Sequence, residues 1–551
     1  LIVIYINGIT MSVIGFLKDK FSSKGNEPEV EALPWEAGES IYHFIDTNID
    51  PETGKLKADS GELPDEIPAE AGALRWAPGA LDGAMGHHAS LGSEKKSIKK
   101  IVNLVDSVAR SDNQLSKVNL YKLLEDDEIL SLIDDVLEEL GKRGVPVEPY
   151  LLKFLQFLVR RSTHRGPVKF SIALLGAIQD VDSTEFIRKL GSHEEFTLYA
   201  ATALANGSGD VELELWDLAK KVDGWGRIQL VERLAETQNV DIKKWILLEG
   251  YKNSVMYEYL AYIAASTGEL HNALNQGFVD DKLLEAASDI LQALMAGGPA
   301  EDLSCYEEAP GAIKDYLRHI EAHQSNKKLS YFLTVQYLAE YLTDLDEEDS
   351  QAWADSKSDI QNKCSEVLAW SGWLGLAAEN LKSKNSYDFH IADQVAKHLG
   401  LNTWDVHWER LQDEPFEFSK WHHVMGLANI ENIDQILDFA DKKIPLEKVA
   451  TGAAEEMGFG DEFTIHGCVE TIASGLDQFS GKGLKFIEAS LKSPVTRGRN
   501  MSMNALEAWG KDTVESLGAM GLVLEALKVE PDEDVRERLD AFRSGREPKW
   551  D

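Results

Sequence analysis

Cysteine is scarce in this chain. There are three in 551 residues, Cys305, Cys364 and Cys468, far apart and without CxxC or any other metal-knuckle spacing. That excludes a disulfide-stapled secreted framework and a cysteine-based zinc knuckle, fits a reducing cytoplasm, and predicts three buried, inert thiols. Positive charge is also in short supply: 56 Lys+Arg stand against 94 Asp+Glu, a formal net charge of −38. Clustered Lys and Arg are what bind a phosphate backbone by displacing counterions, so nucleic acid is not an expected partner. An anionic membrane surface would repel the chain for the same reason. The uncharged opening LIVIYINGITMSVIGFL ends at Lys18 after 17 residues. That is short of the roughly 20 a membrane span requires, and no basic segment precedes it as in a signal peptide.

What is present is a globular composition, 43% hydrophobic and 27% charged, which excludes disorder as the overall state. The length accommodates two to four domains or one long repeat array. The chain starts at Leu1 while Met11 opens an ordinary-looking start, so residues 1–10 read as translated upstream sequence. From Met11, the residues Val13, Ile14, Phe16, Leu17 and Phe21 predict a short amphipathic helix. Residues 11–94 then form an N-terminal arm. Between 23 and 94 it holds six of the 16 prolines, among many Gly and acidic residues. Regular helices are interrupted by such a composition, and one short helix is expected near Glu39 to Asn48.

From Ser97 the pattern becomes helix after helix. Ile98, Ile101, Val102, Val105 and Val108 recur at three- and four-residue spacing with Lys99, Lys100, Asn103, Asp106 and Arg110 on the other face, and Leu151, Phe154, Leu155 and Leu158 repeat the stripe. Helix ends fall at comparable landmarks near Ile178, Asn206, Thr237, Thr267 and Ala296, 28, 31, 30 and 29 residues apart. Each is followed by a second apolar stretch, as in DVELELWDLAKK and NVDIKKWILLEG. A helix pair of about 30 residues cannot bury both of its stripes alone, so stacked neighbours must complete the core. Near the C-terminus, SPVTRGRNMSMNALEAWG starts a helix at Pro494, turns Arg497 to the turn and buries Met501, Ala505 and Leu506. In EPDEDVRERLDAF, Pro531, Asp534, Val535 and Arg536 resemble the Pro…Asp-Val-Arg element of HEAT repeats, whose Asp and Arg cross-link successive units. The expected fold is therefore all-α, a HEAT-like helical-repeat superhelix behind an irregular Pro/Gly-rich arm. One array spans 95–345 and a second spans 360–551, with the acidic segment Asp344 to Asp359 between them.

Motifs for chemistry are few. Asp315, His319 and His323 share a helix face at metal-ligand spacing, though a solvated face explains them more simply. His390, Asp393 and His398 do not share a face, and the adjacent pairs His87-His88 and His422-His423 diverge on a helix, so no metal site is predicted. GFGDEF at Gly458 and GKGLKF at Gly481 lack the third glycine and the preceding strand of a dinucleotide loop, and read as caps or turns. No Tyr has a Lys four residues later, and the segment around Cys468, FTIHGCVETI, has no haem-thiolate pattern. Walker and Gly-x-Ser-x-Gly elements are absent. No haem, flavin or metal motif is found and no catalytic residue can be named. Trp370, Trp373, Trp404, Trp408 and Trp421 lie within about 50 residues, and read as helix packing in preference to the lining of an apolar pocket.

The chain, and above all LPWEAGESIYHFIDTNIDPETGKL, resembles the bacterial limonene hydroxylases of Bacillus-type organisms from Met11 to Asp551. The resemblance implies oxidation of limonene to carveol and perillyl alcohol, and NAD-dependent oxidation of these to carvone and perillyl aldehyde. It carries NAD(H) as cofactor but no site residue. A HEAT-like array implies something else: a non-catalytic scaffold whose acidic surface takes a protein partner.

Overall fold

The computed structural model describes residues 3–6, 9–12, 33–36, 38–66, 76–83, 95–126, 129–207, 209–322, 327–345, 353 and 356–549. Among these, regular structure is helical apart from one antiparallel hairpin, Val3–Ile6 with Ile9–Ser12, and two isolated bridges. The fold is all-α. The amphipathic stretch from Val13 to Phe21 and the pair His87-His88 lie outside the described residues. In the arm the expected short helix is Ile41–Asn48, opened by Ser40, whose Oγ accepts from the His43 amide at 3.1 Å. No helix among the described residues is long and apolar enough to cross a membrane.

The chain groups into two compact units, Leu1–Thr47 with Leu63–Asp65 and Gly92–Ile178, and Asn48–Glu62 with Glu66–Leu91 and Gln179–Asp551. In the first, helix Lys95–Ser111 packs on Gln114–Asp126, Ile133–Arg143 and Tyr150–Arg161. The stripe Ile98, Ile101, Val102, Val105 and Val108 is buried, as is Leu151, Phe154, Leu155 and Leu158. Tyr121 ties the unit together at its polar end, where its hydroxyl meets Ser162 Oγ at 2.9 Å and His164 Nδ1 at 3.0 Å.

The second unit is built by stacking alternate helices. Glu194–Ala205, Gly224–Arg233, Glu258–Ser266, Asp281–Ala296, Leu329–Asp344 and Lys357–Leu368 form a row in which each packs on the next. Shorter helices such as Val211–Ala219 and Val240–Trp245 lie between consecutive members in sequence. Phe418–Gly426, Thr464–Ser474, Thr496–Trp509 and Glu533–Ser544 form another row. Helices end at Ile178, Asn206, Leu234, Thr267 and Gly297, each within three residues of the landmark that the sequence marks. The helices flanking the acidic segment, Leu329–Asp344 and Lys357–Leu368, pack directly on each other.

Charge-assisted bonds join neighbouring turns of these rows at a recurring separation. Arg188 reaches Glu214 and Lys243 reaches Glu269 across 26 residues, Arg497 reaches Glu470 across 27, and Arg499–Glu530 and Arg538–Glu507 span 31. The expected Asp534 and Arg536 cross-link is not among them. Asp534 is exposed on the outer face, and Arg536 folds back onto the carbonyls of Glu530 and Pro531 at 3.1 and 2.5 Å. Asp532 caps the helix instead, accepting from the Val535 amide at 2.9 Å. In Thr496–Trp509, the previous member of this row, the buried stripe runs through Ser502, Met503, Ala505, Leu506 and Trp509, with Met501 only partly covered.

Candidate functional site

The sequence candidates separate on inspection of their surroundings. His319 is buried and donates from Nε2 to the Leu274 carbonyl at 2.9 Å, so it is a satisfied core histidine and not part of a solvated face. Asp315 is held by Arg318 at 2.9 Å, and His323 lies outside the described residues. Trp373 and Trp421 are fully buried, and Trp404 stacks on Trp408 with centroids 5.4 Å apart; these are packing residues. Cys364 and Cys468 are buried, and burial pushes both thiols up to about 12. Cys305 departs from the expectation. It ends the short turn Leu303–Cys305 and is exposed.

Neither of the two glycine turns singled out in the sequence fits the phosphate loop of a nicotinamide dinucleotide. Gly458 (φ +77°) and Gly483 (φ +65°) sit in helix-to-helix turns, where an added Cβ would strike Val495 at 2.6 Å and Leu476 at 2.7 Å. These glycines allow close packing of apolar side chains, and no strand among the described residues precedes them to aim a helix at a pyrophosphate.

One face of the first row carries a groove of about 1020 Å³. Helical spacing builds it: Asp289, Gln292 and Ala296 line one wall, and Tyr337, Glu340, Tyr341 and Asp344 line the next at i, i+3, i+4 and i+7. Val255 and Met256, in the turn before Glu258–Ser266, and Tyr387, at the start of Ser386–His398, close the ends. Val255, Met256 and Tyr387 are 38%, 37% and 64% exposed, unusual for apolar and aromatic side chains this close together. Five carboxylates line the groove, Glu258, Asp289, Asp302, Glu340 and Asp344, and no Lys, Arg or His is among the described residues that line it. Burial pushes the Asp289 carboxyl above its ordinary range, against the hydrogen bond it accepts from the Tyr251 hydroxyl at 2.8 Å.

A second cluster comes from three successive helices, Ser386–His398, Trp404–Asp413 and Phe418–Gly426. Asp393 is buried and its Oδ1 lies 2.7 Å from His407 Nε2, also buried. Its Oδ2 is 3.0 Å from Lys397 Nζ and 4.0 Å from His423 Nδ1. The His407 and His423 rings stack with centroids 4.7 Å apart, and Phe389 meets His407 edge-on. Burial pushes the Asp393 carboxyl up, but hydrogen bonds from His407 and Lys397 outweigh it and hold the group at about 2. Burial, with the charge of His407, lowers His423 to about 4. Along any single helix, His390, Asp393 and His398 do diverge, as do His422 and His423. The assembly exists only in three dimensions. Its legible signal is that Asp393 occupies an apolar register beside Phe389, Ala392 and Ala396, all buried.

A third site is a cavity of about 670 Å³ with Lys55, Lys57, Lys221, Arg227 and Lys252 on its walls, against two acids, Glu194 and Asp223. Arg227 is fixed by bonds from Nε to Val222 O at 3.0 Å and from Nη1 to Lys252 O at 2.7 Å. Burial, reinforced by the Asp223 charge, pushes the Glu194 carboxyl up to about 8. The first unit has its own cavity of about 740 Å³, floored by Trp35, Tyr150, Phe154 and Phe157. Trp35 meets Tyr121, Phe154 and Phe157 edge-on at 5.5, 6.0 and 5.7 Å.

Fold and sites together define an all-α protein of stacked helices that carries a groove and separate polar clusters. In comparison with known proteins, no family model matches the chain, and no curated protein matches it.

Proposed function

We propose that this protein is a non-catalytic, HEAT-like helical scaffold that binds a segment of a protein partner in the groove between Val255 and Ile391. The observation that supports this most is the pairing of exposed Val255, Met256 and Tyr387 with five carboxylates and, among the described residues that line the groove, no cation. Apolar and aromatic side chains in a concave surface supply anchoring area, and a rim of one charge selects the partner's charge. The partner segment is therefore apolar at its anchors and rich in Lys or Arg at its flanks. The test uses synthetic peptides with identical apolar anchors and basic, neutral or acidic flanks, titrated into the full chain by calorimetry. Basic peptides should bind best, weaken as salt rises, and lose about 1 kcal/mol or more with Tyr387→Ala. Equal binding of all three flank types, or indifference to Tyr387→Ala, would overturn the proposal.

The resemblance to limonene hydroxylases carries a second reading, monoterpene oxidation, for which the aromatic cavity around Trp35 offers an apolar seat. Its polar rim includes Lys117, which pairs with Asp112. Headspace gas chromatography would show limonene retained by the protein and released by Trp35→Ala, and mass spectrometry would show carveol or perillyl alcohol formed with added reductant. Retention no greater than by the heat-unfolded chain would end this reading.

A further inference from the structure

We propose that Asp393, His407 and His423 are the three protein ligands of a site for a first-row divalent transition metal of the zinc class, with Lys397 holding the ion's place when it is absent. The donor set is two imidazoles and one carboxylate, which suits zinc and its neighbours and is poorly matched to calcium or magnesium, whose shells are built from oxygen. Asp393, His407 and His423 each offer a ligand atom within 4.8 Å of the other two. An ion bound at about 2.1 Å sets its ligands about 3 to 3.5 Å apart, depending on coordination number. The distances 2.7 Å for Asp393 Oδ1 to His407 Nε2 and 4.0 Å for Asp393 Oδ2 to His423 Nδ1 lie on either side of that value.

Binding through His407 Nε2 releases to water the proton that this nitrogen donates to Asp393 Oδ1, and two further adjustments, made by the more exposed partners, bring the donors onto one ion. An imidazole binds metal in its own plane, so the His407–His423 stack must open; His423 has 30% of its side chain exposed and room to turn, while His407 is fixed by burial and by the edge of Phe389. Lys397 must leave Asp393 Oδ2. Its side chain is 58% exposed, so the ammonium swings into water without stranding a buried charge. In the absence of an ion, Asp393 requires a positive partner, because an ionised carboxylate 2% exposed and unpaired costs several kcal/mol. A divalent ion supplies that charge more strongly than one ammonium. Bound there, it would join three successive helices that otherwise meet through side-chain packing and the Asp393–His407 hydrogen bond.

The test uses the full chain after chelator treatment and dialysis, titrated with zinc chloride by calorimetry, and with cobalt(II) by visible absorption. One ion per chain should bind, cobalt(II) should develop ligand-field bands, and calcium should not compete. His423→Gln, at a partly exposed position that leaves the buried pair intact, should weaken zinc by at least about tenfold and change the cobalt spectrum. Lys397→Met should retain binding or tighten it, since it removes the competing cation. Absence of stoichiometric zinc binding, or zinc affinity and cobalt spectrum unchanged in His423→Gln with its fold verified by circular dichroism, would overturn the proposal. So would displacement of zinc by equimolar calcium, which marks binding to the acidic surface.

Discussion

Arg499 leaves the helix Thr496–Trp509 and reaches across to Glu530, just after Met520–Val529, through two parallel bonds, Nε to Oε2 at 2.8 Å and Nη2 to Oε1 at 2.7 Å. Side-chain exposure is 0% and 1% for the pair. The guanidinium also donates from Nη1 to the carbonyls of Ser493 and Pro494 at 2.9 and 3.1 Å. Arg499→Met would leave the buried Glu530 carboxylate without its cation, held only by the Asp532 amide, and would strip the Ser493 carbonyl of its guanidinium donor, while the Pro494 carbonyl keeps the Glu456 amide. Removing one member of such a pair costs about 3–5 kcal/mol. Arg499→Met combined with Glu530→Met removes both charges and leaves mainly the Ser493 carbonyl without its donor, at about 1–3 kcal/mol. Arg538→Ala serves as the comparison, because its partner Glu507 is 37% exposed and water can solvate the carboxylate that is left behind, which costs less than stranding a fully buried one. Hydrogen exchange of the Thr496–Trp509 amides, read by mass spectrometry, measures the opening free energy of this region directly. The expected order of loss is Arg499→Met, then the double variant, then Arg538→Ala. Equal losses for Arg499→Met and Arg538→Ala, or a double variant worse than Arg499→Met, would refute the reasoning.

Glu194→Gln should raise the melting temperature at pH 9 and change it little at pH 5. The native carboxyl is held at about 8 against an ordinary 4.5, so stability from its protonated form is complete below 4.5 and is lost as pH rises through 8. The handicap removed at pH 9 is at most about 5 kcal/mol, reduced by whatever water and Arg227 relax around the charge; thermal melts of both proteins across that range check it, and parallel profiles would refute it. Native-state alkylation followed by mass spectrometry should label Cys305 and spare Cys364 and Cys468 until the protein is unfolded. Tyr121→Phe should destabilise the first unit by about 1–3 kcal/mol, because buried Ser162 and Thr163 lose their shared hydroxyl partner; a urea melt showing no change would contradict that role.

Helix positions were legible in the sequence because a 3.6-residue period is local. Ile98 to Val108 had to face one way along any helix they formed, and the stripe is buried as the spacing required. The 28- to 31-residue landmarks were legible for a related reason: a short amphipathic pair must stack, and each stacked pair occupies a similar length of chain. Which charges would cross-link the pairs was not. Asp534 and Arg536 carry the motif, yet the buried bond belongs to Arg499 and Glu530, 31 residues apart, because helix rotation at the contact decides which side chains meet.

The sequence by itself therefore determined the all-α class, the approximate positions of several helix ends and the net negative charge, each a matter of composition or near-neighbour spacing. Only the tertiary structure decided that Asp393, His407 and His423 converge, that His319 is a core residue, that Cys305 faces water and that five carboxylates gather beside Val255, Met256 and Tyr387 in one groove. Those features depend on segments distant in the chain arriving at one place, and the arrival is set by packing across many residues, which no local period encodes.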